Sequence, residues 1–349
     1  MIANTHIGWL DRASTSSLQR AEETNLIIRE LGQGYFARVF LSIPKQAANE
    51  TIAQFAARAV TAEQRSDLLA NLRTCLRVLK ISRDREVNGK GLDTVYKEAA
   101  VLNTLCRIQH ANIMRLITAD TSGPKGWFAM PVCSVNLQQV LNSVYQTGNA
   151  EPIAFAWHVC LEMAKAFLYL HHGVLNDGRK ESNWPLVAHG DTRTGNFLFM
   201  PVGEGGDVYP RMLLADFDRA KLVPADCSQS ERTAVLQQQR KDLEALICYA
   251  ECAARRINDP ALERWSRAIA NIETPGAYEM RDDRAFHVLY RFVKAAKRRS
   301  DRLYLPLPDD LLALFEQPSL TDQELVTVFP SLAESTPMPM SRPKTLYSM

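Results

Sequence analysis

His189-Gly190-Asp191-Thr192-Arg193-Thr194-Gly195-Asn196 is the stretch that decides how this chain is read. Apolar, β-like runs enter and leave it, Leu186-Val187-Ala188 and Phe197-Leu198-Phe199-Met200, so it reads as a loop between two strands. Asp191 and Asn196 stand five residues apart on that loop. The aspartate can accept a proton from a hydroxyl nucleophile, and the asparagine can hold a metal ion. A third run, Met212-Leu213-Leu214-Ala215, leads into Asp216-Phe217-Asp218, whose first carboxylate can hold the same ion. Phosphoryl transfer uses such a set, because its transition state is stabilised by positioning and charge neutralisation rather than by covalent protein chemistry.

Upstream, Leu31-Gly32-Gln33-Gly34-Tyr35-Phe36-Ala37-Arg38-Val39 lies between two β-like runs. Glycines let a backbone close over phosphates and turn its N–H groups toward their oxygens. Lys80 sits in the strand-like Leu76-Arg77-Val78-Leu79-Lys80-Ile81, and Glu98 follows 18 residues later in a helical segment, Thr94 to Cys106. In that segment Val95, Ala99, Leu102 and Cys106 recur at helical spacing. His110-Ala111-Asn112-Ile113 follows that segment.

Taken in order, the glycine loop, Lys80, Glu98, Asp191, Asn196 and Asp216 resemble the motif series of the protein-kinase-like superfamily over about residues 25 to 250. The resemblance implies an α+β, bilobal fold, with a small β-rich N-lobe and a larger, mainly helical C-lobe. It implies ATP as cofactor with Mg2+ or Mn2+, the metal held by Asn196 and Asp216. Asp191 would be the base and Arg193 the cation for the γ-phosphate, while Lys80, paired with Glu98, would reach the α/β-phosphates. Gly32, Gly34, Phe36 and Val39 would cover the nucleotide. Met130, Val132 and Cys133 would line the adenine end, within a hinge at Pro131-Val132-Cys133-Ser134, where backbone groups would meet the base.

Three departures qualify the resemblance. Gly190 stands where many protein kinases carry an arginine that receives a phosphorylated activation loop, and His-Gly-Asp is also the wording of aminoglycoside and choline phosphotransferases. Asp218 replaces the glycine of the metal triplet. Asp242, in Lys241-Asp242-Leu243-Glu244, is the candidate brace of the catalytic loop, yet follows Asp216 by only 26 residues, with no Ala-Pro-Glu between them. The N-lobe motifs favour a protein acceptor, in the manner of serine/threonine kinases. A small-molecule kinase of the aminoglycoside/choline phosphotransferase type and a nucleotide-binding pseudokinase scaffold are the alternatives.

A chain of 349 residues accommodates two lobes and a substantial core. Residues 1–24 read as a flexible or loosely packed lead-in, 25–130 as the N-lobe and 131–333 as the C-lobe with a divergent helical end. Residues 334–349 read as a disordered tail, with Ser341, Thr345, Tyr347 and Ser348 as conceivable self-phosphorylation sites. N-lobe strands are expected near 26–31, 36–43, 75–82, 113–118 and 126–131. An insertion over 44–72 carries Ile52, Phe55, Ala59, Leu68, Leu69 and Leu72 at helical spacing, and reads as one or two amphipathic helices that add a packing layer or present a partner surface. Ile153 to His171 reads as a long buried helix ending in His171-His172, where a structural role is favoured over a metal.

The net charge of +2 argues against nucleic acid as the main partner. The basic run 294–302 reads as a solvated helix face, with a docking surface as the alternative. No apolar run reaches the ~20 residues of a bilayer span, the N-terminus lacks the pattern of a secretory signal, and seven cysteines without a Cys-x-x-Cys pair suit a reducing, cytoplasmic setting.

Overall fold

Alternation along one strand sets up the N-lobe. In the computed structural model, Arg77-Val78-Leu79-Lys80-Ile81-Ser82 is strand β3. Val78 and Lys80 point to one face of the sheet, Leu79 and Ile81 to the other. It lies between β2 (Ala37–Pro44) and β5 (Trp127–Met130) in a five-stranded antiparallel sheet of order β1-β2-β3-β5-β4, with β1 at Asn25–Gln33 and β4 at Thr118–Asp120. The structure describes residues 15–56, 62–83, 94–121, 126–147, 151–202, 209–272, 283–303 and 306–316, together with 320 and 324.

Both faces of this sheet are covered. Phe40, Leu79, Ile81, Trp127 and Ala129 bury one face together with Ala21 of helix α1, Thr15–Thr24. The lead-in is therefore a docked helix over 15–24, not a loose segment; residues 1–14 lie outside those described. Its Arg20 also forms an ion pair with Asp120 on β4. The other face meets α2 (Lys45–Ala56) and α3 (Ala62–Thr74), where Ala48, Leu68 and Leu72 pack with Leu41, Ile43, Leu76 and Val78. The insertion thus supplies packing; Ala59 and the side chains of Phe55 and Leu69 lie outside the described residues.

Helix α4 (Thr94–Leu105) buries Val95, Glu98, Ala99, Leu102 and Leu105. The strand expected over 113–118 is reduced to β4 and an isolated bridge from Ile113 to Leu214. Met114 donates its N–H to the Leu214 carbonyl at 2.9 Å, so this stretch is bonded to the other lobe and rejoins the sheet only at Ile117, whose N–H donates to the Ala129 carbonyl at 2.8 Å.

The C-lobe is built on α6 (Ile153–His172), which is buried almost throughout. The helix is long and apolar enough by composition to cross a membrane, yet 89% of its apolar window is buried inside the protein, where it serves as the expected long buried helix. Around it pack α5 (Leu137–Thr147), α7 (Gln229–Ile257), α8 (Pro260–Ala270) and α9 (Asp283–Arg302), followed by α10 (Asp309–Leu312). Helix α7 opens on a capping box, Ser228 with Glu231. Helix α9 buries Leu289, Phe292 and Ala296, which leaves the basic residues 294–299 on its solvent side, where Lys297 pairs with Asp301 at 3.2 Å.

Two short hairpin pairings position the functional loops. Strand β6 (Leu186–Ala188) pairs with β9 (Lys221–Val223), and β7 (Phe197–Phe199) with β8 (Met212–Leu214). The architecture is α+β and two-lobed, with the sheet-rich lobe first and the helical lobe after it, as the motif series implied.

Candidate active site

A cleft of about 570 Å³ opens between the lobes. Gly32, Gly34, Phe36, Val39, Lys80, Glu98, Met130, Cys133, Asp191, Arg193 and Asp216 all line it. Positions dispersed over 185 residues of sequence therefore meet in one place. Val132 is the exception: its side chain is buried against the cluster containing Leu76 and Val78. It lines a separate cavity instead. Asn196 is also buried, just beneath the lining residues.

Lys80 is the electrostatic centre. Its Nζ lies 2.6 Å from Glu98 Oε2 and 2.5 Å from Asp216 Oδ1. Burial opposes its charge, but the two carboxylates outweigh burial and raise the lysine's pKa. Burial alone would raise the Asp216 carboxyl; Lys80 reverses that and holds it below the usual carboxylate range. At Glu98 burial dominates and pushes the carboxyl up against the pull of Lys80. Glu98 has a second task that the sequence did not reveal: its Oε1 accepts the backbone N–H of Phe217 at 3.1 Å. One carboxylate of α4 thereby holds both the β3 lysine and the Asp216 loop.

That arrangement sets a double-variant test. Lysine removal strands a carboxylate that is only 2% exposed, so Lys80 contributes to the fold as well as to the site. Lys80→Met should lower unfolding free energy by about 2–3 kcal/mol. Adding Glu98→Gln should restore most of the loss, while any activity stays absent in both variants. Denaturant midpoints equal to wild type in Lys80→Met would refute the coupling.

The loop His189–Asn196 hangs on Asp242 of α7, whose side chain is fully buried. Its Oδ2 accepts the N–H of His189 at 2.7 Å, its Oδ1 that of Gly190 at 2.9 Å, and its backbone carbonyl the Thr192 hydroxyl at 2.9 Å. His171 Nε2 lies 3.2 Å from Oδ2, so the first histidine of the pair on α6 supports the brace. Burial lowers the pKa of His172 to about 3, which leaves it neutral and structural. Among its partners Asp242 keeps a lowered pKa despite its burial.

His189 links the two loops. Its Nδ1 accepts the Asp191 N–H at 3.2 Å, so Nε2 carries the proton donated to the Ala215 carbonyl at 2.9 Å. Its ring packs against Phe217 at 4.6 Å. Asn196 donates Nδ2 to the Asp191 carbonyl at 2.8 Å, which closes the loop on itself. Arg193 lies 3.5 Å from Asp191 Oδ2 with most of its side chain in solvent.

Gly190 answers to geometry. It has φ +85°, and a Cβ built there would lie 2.6 Å from the Arg219 carbonyl oxygen. Gly190→Ala should cost roughly 2–4 kcal/mol, from left-handed strain plus a backbone collision. A melting temperature unchanged by that substitution would contradict the contact. By contrast a Cβ at Gly32 meets nothing within 4 Å, so that glycine is not required by the protein's own packing.

Asp216 itself adopts φ +67°, left-handed for a non-glycine, and Phe217–Arg219 then form a short 3-10 turn. The turn brings Asp218 back into the cleft. Asp191, Asp216 and Asp218 each offer an oxygen within 4.8 Å of the others. Asp218 Oδ1 is buried without a hydrogen-bond partner, and burial followed by Asp216 raises its pKa. Such a set suits a hard divalent cation. Asp218 was read from sequence only as a departure from a motif; its carboxylate becomes a candidate ligand once the turn is seen.

Solved structures similar to this chain include the kinase domain of Mycobacterium tuberculosis PknI, at 15% identity and TM-score 0.46, covering 79% of this chain and 96% of that one. A second is the kinase domain of PF14_0431, at 16% identity and TM-score 0.43, covering 88% and 83%. No protein-family model matches the chain, and no curated protein matches it.

Proposed function

We propose that the chain is an ATP-dependent phosphotransferase that moves the γ-phosphoryl group to a hydroxyl acceptor, most readily a serine or threonine of a protein. The observation that carries this reading is Lys80 placed between Glu98 and Asp216, at the floor of a cleft that also holds Asp191. Asp191 orients the acceptor hydroxyl and takes its proton. Lys80 meets the α/β-phosphates, and Arg193 offers a guanidinium fork to the phosphate being transferred. Asn196 through Oδ1, Asp216 and Asp218 would hold Mg2+ or Mn2+, which supplies charge neutralisation between phosphates when bound. The space above Gly32 is open to a ligand rather than filled by protein.

A small-molecule hydroxyl is the second acceptor class, favoured by Gly190, Asp218 and the short 216–242 segment. No disulfide joins any of the seven cysteines, all of which lie among the described residues, and this supports a cytoplasmic, reducing location.

Purified protein with labelled ATP and magnesium, with and without cell lysate, tests the assignment. Label in protein bands supports the first acceptor; label confined to small molecules supports the second. ATP should raise the melting temperature only with magnesium or manganese present, and Asp216→Ala should shrink the shift. No shift with any nucleotide over a wide concentration range would refute the reading.

A further inference from the structure

We infer that a second cavity, behind the hinge, is a binding site for a small oxyanion carrying two or more negative charges. It has a volume of about 600 Å³ and shares only Pro131 with the nucleotide cleft among the residues lining each. Among the described residues three arginines line it, and no aspartate or glutamate does. They come from three places in the fold: Arg77 opens β3, Arg115 lies in the stretch between α4 and β4, and Arg211 directly precedes β8. Among the described residues, Arg77 and Arg115 form no ion pair.

The like charges of Arg77 and Arg115, gathered in one concavity, repel one another unless an anion offsets them. A guanidinium presents a planar fork of N–H donors matched to carboxylate and phosphate oxygens. His110 also lines the cavity, but burial lowers its pKa to about 4, so it adds hydrogen bonding rather than charge. Arg77 belongs to the N-lobe sheet and Arg211 to the β8 edge of the C-lobe, with hinge residues Pro131 and Val132 between them. An anion bound there bridges the lobes without entering the cleft. The site does not depend on the catalytic assignment.

Titration calorimetry of the full chain, with inorganic tripolyphosphate in one arm and citrate in the other, tests it and separates a phosphate source from a carboxylate source. Wild type should bind at least one of them at one per chain. Arg77→Gln/Arg115→Gln should weaken that binding at least tenfold, as should Arg211→Gln alone. Lys80→Met/Glu98→Gln, altered in the cleft, should bind the anion like wild type. Absence of binding by wild type, or binding unchanged in the arginine variants, overturns the proposal. Loss confined to the Lys80→Met/Glu98→Gln variant overturns it too, and places the anion in the cleft.

Discussion

Asp191→Asn should leave ATP affinity within a few-fold of wild type and lower the phosphoryl-transfer rate by a factor on the order of 10² or more. The substitution keeps shape but removes the negative charge and the proton acceptor. The structure explains why the fold should tolerate it. Loop-closing bonds at this residue run through its backbone, as its N–H donates to His189 Nδ1 and its carbonyl accepts from Asn196. Among the described residues the side chain's one ion pair is with Arg193, at 3.5 Å, and that arginine is largely in solvent, so the pair has little energetic weight. Single-turnover rates and nucleotide titration on the same preparation check both halves. Equal transfer by variant and wild type would remove Asp191 from the chemistry. No transfer by either, to protein or small molecule, would leave a nucleotide-binding scaffold.

Asp242→Ala should be the more damaging change to the fold. The buried N–H of His189, the partly buried N–H of Gly190 and His171 lose their acceptor together. At about 1–3 kcal/mol for each stranded buried group, the expected loss is roughly 3–5 kcal/mol. Asp242→Asn should cost less, because one carbonyl oxygen remains to accept while the new amide faces a donor. Denaturant unfolding of Asp242→Asn gives a readout even if the alanine variant does not fold. The asparagine variant should also lose transfer rate, since the segment it braces carries Asp191. A midpoint equal to wild type would show that the loop is held by other contacts.

Much of this site was legible in the sequence because its parts are local signals. The glycine loop, Lys80 on an alternating strand, Glu98 on a helical face and the His189–Asn196 loop are each recognisable within a dozen residues. Their order implied their convergence, and Asp242 stood as the candidate brace in spite of its short spacing from Asp216. What stayed hidden depends on direction rather than identity. Asp218 enters the cleft because Asp216 takes a left-handed conformation and the next three residues turn. Val132 turns away although its neighbours Met130 and Cys133 face the cleft. Thr15–Thr24 is polar overall, and its docking rests on a few small contacts such as Ala21, which composition does not display. The rear cavity assembles arginines more than 130 residues apart, each unremarked in its own segment.

The contact between Gly190 and Arg219 bears on which sequences lie within reach of this one. An arginine at position 190 would be the receiver for a phosphate on the following loop. Its Cβ would begin inside the Arg219 carbonyl, so the 3-10 turn after Asp216 would have to be rebuilt in the same step. At the roughly 2–4 kcal/mol expected for the smaller change Gly190→Ala, that single step would remove a large share of the about 5–15 kcal/mol that holds an ordinary domain folded.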